Sequence, residues 1–142
     1  MKPVVADTGG LLRALARAPA GGPAWPEYRD ALVSARAVLV PALILTELDY
    51  FLRADRPAMG RLLADILDPG TRYELEPPTA PDLARAVELD ARFADLGLGL
   101  VDGSVAALAE RRGVLRVLTT DRRHFSAMRI GPRFDRSLEI VP

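Results

Sequence analysis

The stretch Val101-Asp102-Gly103-Ser104-Val105-Ala106-Ala107-Leu108-Ala109-Glu110-Arg111-Arg112-Gly113-Val114-Leu115-Arg116-Val117-Leu118-Thr119-Thr120-Asp121 reads as a helix handed straight to a buried strand. Val101–Arg112 is helical, and Gly113 is the residue best suited to follow a helix C-terminus. Val114–Thr119 is a short, mostly apolar run of the kind that lies inside a sheet covered on both faces. An acid, Asp121, comes directly after it.

The same pattern recurs towards both ends. Val4-Val5-Ala6 is a buried-strand run closed by Asp7-Thr8-Gly9-Gly10, after which Leu11, Leu12, Leu15 and Ala16 mark a helical face. Pro19 to Pro26 is a loop, and Glu27–Arg36 is read as helix. Ala37-Val38-Leu39-Val40 is a second buried strand, and Pro41 suits the first turn of a helix running to about Arg53. Pro57–Leu67 forms another helix, stopped by Asp68-Pro69-Gly70; Arg72–Leu75 is a weak strand. Pro81–Leu96 reads as a long amphipathic helix with Leu83, Ala84, Val87, Ala91 and Ala94 on one side, broken by Gly97 and Gly99. Leu138–Val141 is the last strand. Short apolar strands separated by helices predict an α/β fold with a mostly parallel central sheet, and 1–142 as a single domain.

Composition narrows the chemistry. The 142 residues contain no cysteine, which removes disulfides, thiolate metal sites and cysteine nucleophiles. A single histidine, His124, excludes paired-imidazole catalysis, and the single lysine, Lys2, leaves almost no Schiff-base or phosphate-loop candidate. What remains for an enzyme is carboxylate chemistry, and hydrolytic carboxylates usually hold a metal. The 19 basic and 19 acidic residues cancel, yet residues 111–136 hold eight arginines against Asp121 and Asp135, a local balance of +6. That segment is either a polyanion-facing end or the product of an arginine-rich coding bias. Asp7 interrupts the N-terminus before an apolar leader can form, and Ala37–Thr46 is far short of the ~20 residues of a spanning helix. A cytoplasmic protein without membrane contact is expected.

The acids fall at telling places. Asp7 and Asp121 each follow a strand, and open parallel sheets bind ligands outside the carboxyl ends of their strands. Each would serve equally well as a helix cap or turn residue. Glu47 has Leu43, Ile44, Tyr50 and Phe51 as its neighbours at helical spacing, so it points to the buried side, where it needs an arginine or a metal. Asp102 opens the helix Val101–Arg112, a position that suits a cap and a metal ligand alike.

Val4-Val5-Ala6-Asp7-Thr8, Leu45-Thr46-Glu47-Leu48, the run Leu100–Ala109 and Leu118-Thr119-Thr120-Asp121-Arg122-Arg123-His124-Phe125 together resemble the ordered acidic motifs of PIN-domain ribonucleases. The VapC toxins of bacterial type II toxin–antitoxin systems are the closest resemblance, and it covers nearly the whole chain. It implies a three-layer α/β/α sandwich in which Asp7, Glu47, Asp102 and Asp121 gather as catalytic and metal-binding residues around Mg²⁺ or Mn²⁺. Thr8 would support the first acid or a water, and Thr119 and Thr120 would do so beside Asp121. It also implies an RNA substrate, a cognate antitoxin and a homodimer. His124 is assigned to surface or supporting packing and not to catalysis.

The chain departs from the family pattern in two places. Gly9-Gly10 stands where serine or alanine is commoner, and Val105 occupies a position that carries an acid in some relatives. Other carboxylate folds fit less well: position 9 is glycine where an aspartyl-phosphate enzyme wants a second acid, and a receiver domain lacks its lysine. Gly97, Gly99 and Gly103 make a poor dinucleotide fingerprint because they follow a helix. The rival of a different kind is a catalytically silent PIN-like interaction module, which gains nothing from four mutually repelling acids. With those four in one pocket, nineteen bases face fifteen remaining acids, a surplus of four on the rest of the molecule.

Overall fold

The computed structural model describes residues 1–142. The first half comprises β1 (Val4–Ala6), α1 (Thr8–Leu15), α2 (Pro26–Ser34), β2 (Val38–Pro41), α3 (Ile44–Phe51), α4 (Arg56–Leu67) and β3 (Tyr73–Glu76). The second comprises α5 (Ala80–Arg92), a 3-10 turn at Ala94–Leu96, α6 (Gly99–Arg112), β4 (Arg116–Leu118) and α7 (Arg122–Ala127). Three short strands follow: β5 (Arg129–Ile130), β6 (Arg136–Ser137) and β7 (Glu139–Val141).

Five strands form one parallel sheet in the order β3-β2-β1-β4-β7, while β5 and β6 make a separate antiparallel pair. β1 lies at the centre, with Val4 opposite Val38 on β2 and Val5 opposite Val117 on β4. β1 and β2 are buried along their whole length, which is why their sequences are unbroken apolar runs with no alternation. From β1 the chain moves outward through β2 and β3, then returns to the other side of β1 for β4 and β7. Right-handed crossovers therefore place α1–α4 on one face and α5–α7 on the other, the three-layer sandwich expected from the sequence. The reversal point lies between β1 and β4, where open sheets of this type bind ligands.

Gly10 sets how closely α1 approaches that point. A β-carbon there would lie 2.2 Å from the Leu118 carbonyl oxygen, so only glycine lets the helix start directly over the end of β4. Leu11, Ile44, Leu48, Leu89, Leu118, Phe125, Met128 and Ile130 are fully buried and hold the layers together.

Several sequence expectations are corrected. Pro41 closes β2 opposite Glu76 instead of opening a helix, and α3 starts at Ile44. Tyr50 and Phe51, read as the buried side of α3, are each 59% exposed; Ile44 and Leu48 are buried in the core and Leu45 packs against it. α5 turns the other way from its apolar stripe: Asp82, Ala86 and Leu89 are buried, while Leu83, Ala84, Val87 and Ala91 face outward. α6 begins at Gly99, two residues early, which moves Asp102 from the cap into the first helical turn. The sequence reading contained neither α7 nor the β5–β6 pair.

Candidate active site

Asp7 is the first residue beyond β1 and Asp121 the third beyond β4, so two neighbouring parallel strands deliver both to one sheet edge. The main chain locks the register, with Asp7 N–H donating to the Leu118 carbonyl at 2.9 Å. Asp7 occupies the N-cap position of α1, yet its carboxylate makes no capping hydrogen bond. It accepts instead from Thr119 Oγ1 at 2.7 Å, and the same oxygen accepts from the Asp121 backbone N–H at 2.9 Å. One buried hydroxyl thus ties the first acid to the fourth. Thr120 is exposed, and its hydroxyl bonds to neither acid. It sits against Gly9, where a β-carbon would come within 2.2 Å of its Oγ1.

Glu47 projects from α3, half-buried, and accepts from Thr8 Oγ1 at 2.6 Å. The Thr8 hydroxyl therefore fixes the second acid, its backbone N–H favours the charged form of the first, and no arginine pairs with Glu47. Asp121 does act as a cap: its Oδ1 accepts the His124 backbone N–H at 3.0 Å at the start of α7. Its Oδ2 remains free to face the pocket. There it lies 2.8 Å from His124 Nδ1, which is also 2.6 Å from Asp102 Oδ2.

Sequence reasoning gave His124 a packing role, and the structure places its ring nitrogen between two of the candidate acids. The spacing Asp121-Arg122-Arg123-His124 contained the signal, because a residue three beyond an N-cap folds back over the capping side chain. Asp102, Asp121 and His124 each offer a ligand atom within 4.8 Å of the others. Asp7 and Glu47 lie outside that group but within electrostatic reach of Asp102.

The charge environment is unusual. Burial pushes Asp7 up to about 6, the Thr119 hydroxyl opposes this, and the Asp102 and Glu47 charges add to it. Burial also raises Asp102; contact with His124 offsets part of that, and the Asp121 and Glu47 charges reinforce it. No lysine or arginine forms an ion pair with any of the four acids. The donor set, carboxylate oxygens with one ring nitrogen, fits a divalent cation that prefers oxygen.

A parallel α/β sandwich with acids gathered at its reversal point is the architecture of the PIN domains. The chain matches that family over residues 4–130 and belongs to it. Its curated relatives include Ribonuclease VapC26 of Mycobacterium tuberculosis (strain ATCC 25618 / H37Rv), 32% identical over 127 residues, which span 89% of this chain and 92% of the relative. Among solved structures, Mycobacterium tuberculosis VapC20, described as a Sarcin-Ricin loop cleaving toxin, superposes with a TM-score of 0.70 over 87% of this chain and 93% of that one. At 23% identity that likeness carries the fold alone.

Proposed function

We propose that this single-domain chain is a VapC-type endoribonuclease, the toxin of a toxin–antitoxin pair, and that it hydrolyses RNA at the Asp7–Glu47–Asp102–Asp121 pocket. The observation that carries the reading is a set of four acids at one sheet edge that no lysine or arginine neutralises. A silent interaction module would leave that repulsion without a use.

Mg²⁺ or Mn²⁺ held there would supply an acidified water and charge stabilisation for the leaving oxygen. Asp102 and Asp121 direct carboxylate oxygens to a common point. Thr119 holds Asp7 and the Asp121 main chain in register, and Thr8 holds Glu47, so acids that repel one another keep their positions. One divalent ion would reduce four negative charges to about two, and two ions would neutralise them. No 2′-hydroxyl attack is needed, so the chemistry asks for no histidine pair.

Three of the eight arginines in the arginine-rich segment are already paired. Arg111, Arg112 and Arg116 form ion pairs with Asp82, Glu76, Glu74 and Glu139. Arg122 and Arg123, exposed on α7 beside Asp121, are the ones placed to meet RNA phosphate. For the antitoxin we assign the groove of about 790 Å³ between α1, α3 and α4, whose apolar lining includes Leu12, Leu15, Phe51, Leu52 and Leu62. A homodimer would cover apolar side chains that α5 leaves outward, chiefly Val87. No helix is long and apolar enough to cross a membrane, and we place the protein in the cytoplasm, where its RNA substrate lies.

The test is cleavage of RNA by the purified protein with Mg²⁺ or Mn²⁺, with chelator, and with Asp7→Asn and Asp102→Asn alongside. Metal-dependent cleavage that both substitutions abolish is expected. Undiminished cleavage by both variants would sink the assignment.

A further inference from the structure

We infer that His124 is itself a ligand of the divalent ion, giving the centre a nitrogen donor beside Asp102 and Asp121 and biasing it towards Mn²⁺ over Mg²⁺. The inference rests on the nuclease reading and narrows its metal chemistry.

Geometry comes first. Neighbouring ligands on an octahedral ion with bonds of about 2.1 Å lie about 3 Å apart. His124 Nδ1 is 2.6 Å from Asp102 Oδ2 and 2.8 Å from Asp121 Oδ2, and one ligand atom from each residue lies within 4.8 Å of the others, close enough for one ion to meet all three. Asp7 and Glu47 accept threonine hydroxyls at 2.7 and 2.6 Å and lie outside the group of three whose ligand atoms converge.

The ring is also held in place. Its backbone N–H is capped by Asp121, the next residue, Phe125, is fully buried, and the imidazole is only 16% exposed. Arg123 Nη1 lies 3.3 Å from His124 Nε2. Nδ1 is therefore the ring nitrogen turned towards the two carboxylates, while Nε2 faces Arg123 on the other side of the ring.

Selectivity follows from ligand type. Mg²⁺ demands oxygen donors and gives up water reluctantly, whereas imidazole suits transition ions.

His124 is the chain's only histidine, so an imidazole signal in untagged protein identifies it without any substitution. The experiment loads the full chain with Mn²⁺ alone and records ¹⁴N coupling by electron spin-echo envelope modulation. Mn²⁺ and Mg²⁺ affinities are then measured for the wild type, His124→Gln and His124→Ala. Directly bound imidazole nitrogen is expected in the wild type and absent from the variants. Mn²⁺ affinity should fall by at least about 10-fold, with a smaller change for Mg²⁺. Mn²⁺ bound without ¹⁴N coupling, or an unchanged Mn²⁺ to Mg²⁺ preference in both variants, overturns the ligand assignment and leaves the nuclease reading standing. A wild type that binds neither ion overturns both.

Discussion

Helix α6 carries one end into each of two acidic clusters, and the two are built on opposite principles. At its C-terminal end every acid has an arginine. Arg111 Nε donates to both Asp82 oxygens at 3.0 and 3.1 Å, Arg112 pairs with Glu76 and Glu74, and Arg85 grips Glu110 through two bonds of 3.0 and 2.9 Å. At its N-terminal end Asp102 meets only other acids and one histidine. Both acids are shielded from solvent, Asp82 at 4% exposed and Asp7 at 6%, although Asp7 lies deeper in the protein. Burial alone would raise Asp82; the Thr79 backbone N–H and Arg111 overcome that and leave it below its ordinary value. Asp7, with no cation, is pushed up to about 6. The chain neutralises the buried acid with arginine at one end of the helix, and at the sheet edge it supplies no lysine or arginine, the feature on which the proposed metal site rests.

The comparison breaks most visibly in activity. Asp7→Asn and Asp102→Asn should each lower metal-dependent RNA cleavage by at least about 100-fold. Melting in chelator at neutral pH should show no loss of stability, because both substitutions remove repelling charge.

Next comes pH. A carboxyl shifted from 3.8 to about 6 contributes stability that is fully present below pH 3.8 and is lost as the pH rises through 6. Urea unfolding in chelator should therefore weaken by about 2 kcal/mol between pH 4 and pH 7 from this one group. Asp7→Asn, or saturating Mn²⁺, should remove that slope; a slope surviving in Asp7→Asn would place its origin elsewhere.

At the other end of α6 the signs reverse. Asp82→Ala breaks a capping box with Thr79 and leaves Arg111 without its buried partner. The cost should be about 2 kcal/mol, below the range for a fully buried pair because Arg111 is 36% exposed. A lowered Tm with unchanged cleavage per folded molecule is the expected result. The smallest effect belongs to Arg116→Ala. Its contact with Glu139 is 3.8 Å long on an exposed edge, so denaturation should move by less than about 0.5 kcal/mol.

Much of this was legible in the residues, and the misses share a physical cause. α5 was turned the wrong way because its buried face, Asp82-Ala86-Leu89, holds an ion-paired acid and an alanine, neither of which registers as a core stripe. That face is buried because α6 comes unusually close. A β-carbon on Gly103 would stand 2.8–2.9 Å from Ala86, so two small residues make the contact that larger apolar ones would prevent. His124 was missed for a similar reason. Its partners lie 22 residues away on α6 and three residues away across a helix cap, and only the turn at the start of α7 brings them together.

The residues alone point to the layers and to one candidate edge. Short apolar runs separated by helices imply a mostly parallel sheet covered on both sides, and the acids after β1 and β4 share its carboxyl edge. Only the tertiary structure decided what those acids do. It gave Asp7 to Thr119, Glu47 to Thr8, and Asp102 with Asp121 to His124, while sending Arg111 and Arg112 to the far end of the same helix. Periodicity reports which side of an element is apolar. Whether a buried charge meets an opposite charge, a hydroxyl or another acid depends on contacts between elements distant in the chain, and that choice separates the ion pairs at one end of α6 from the acid cluster at the other.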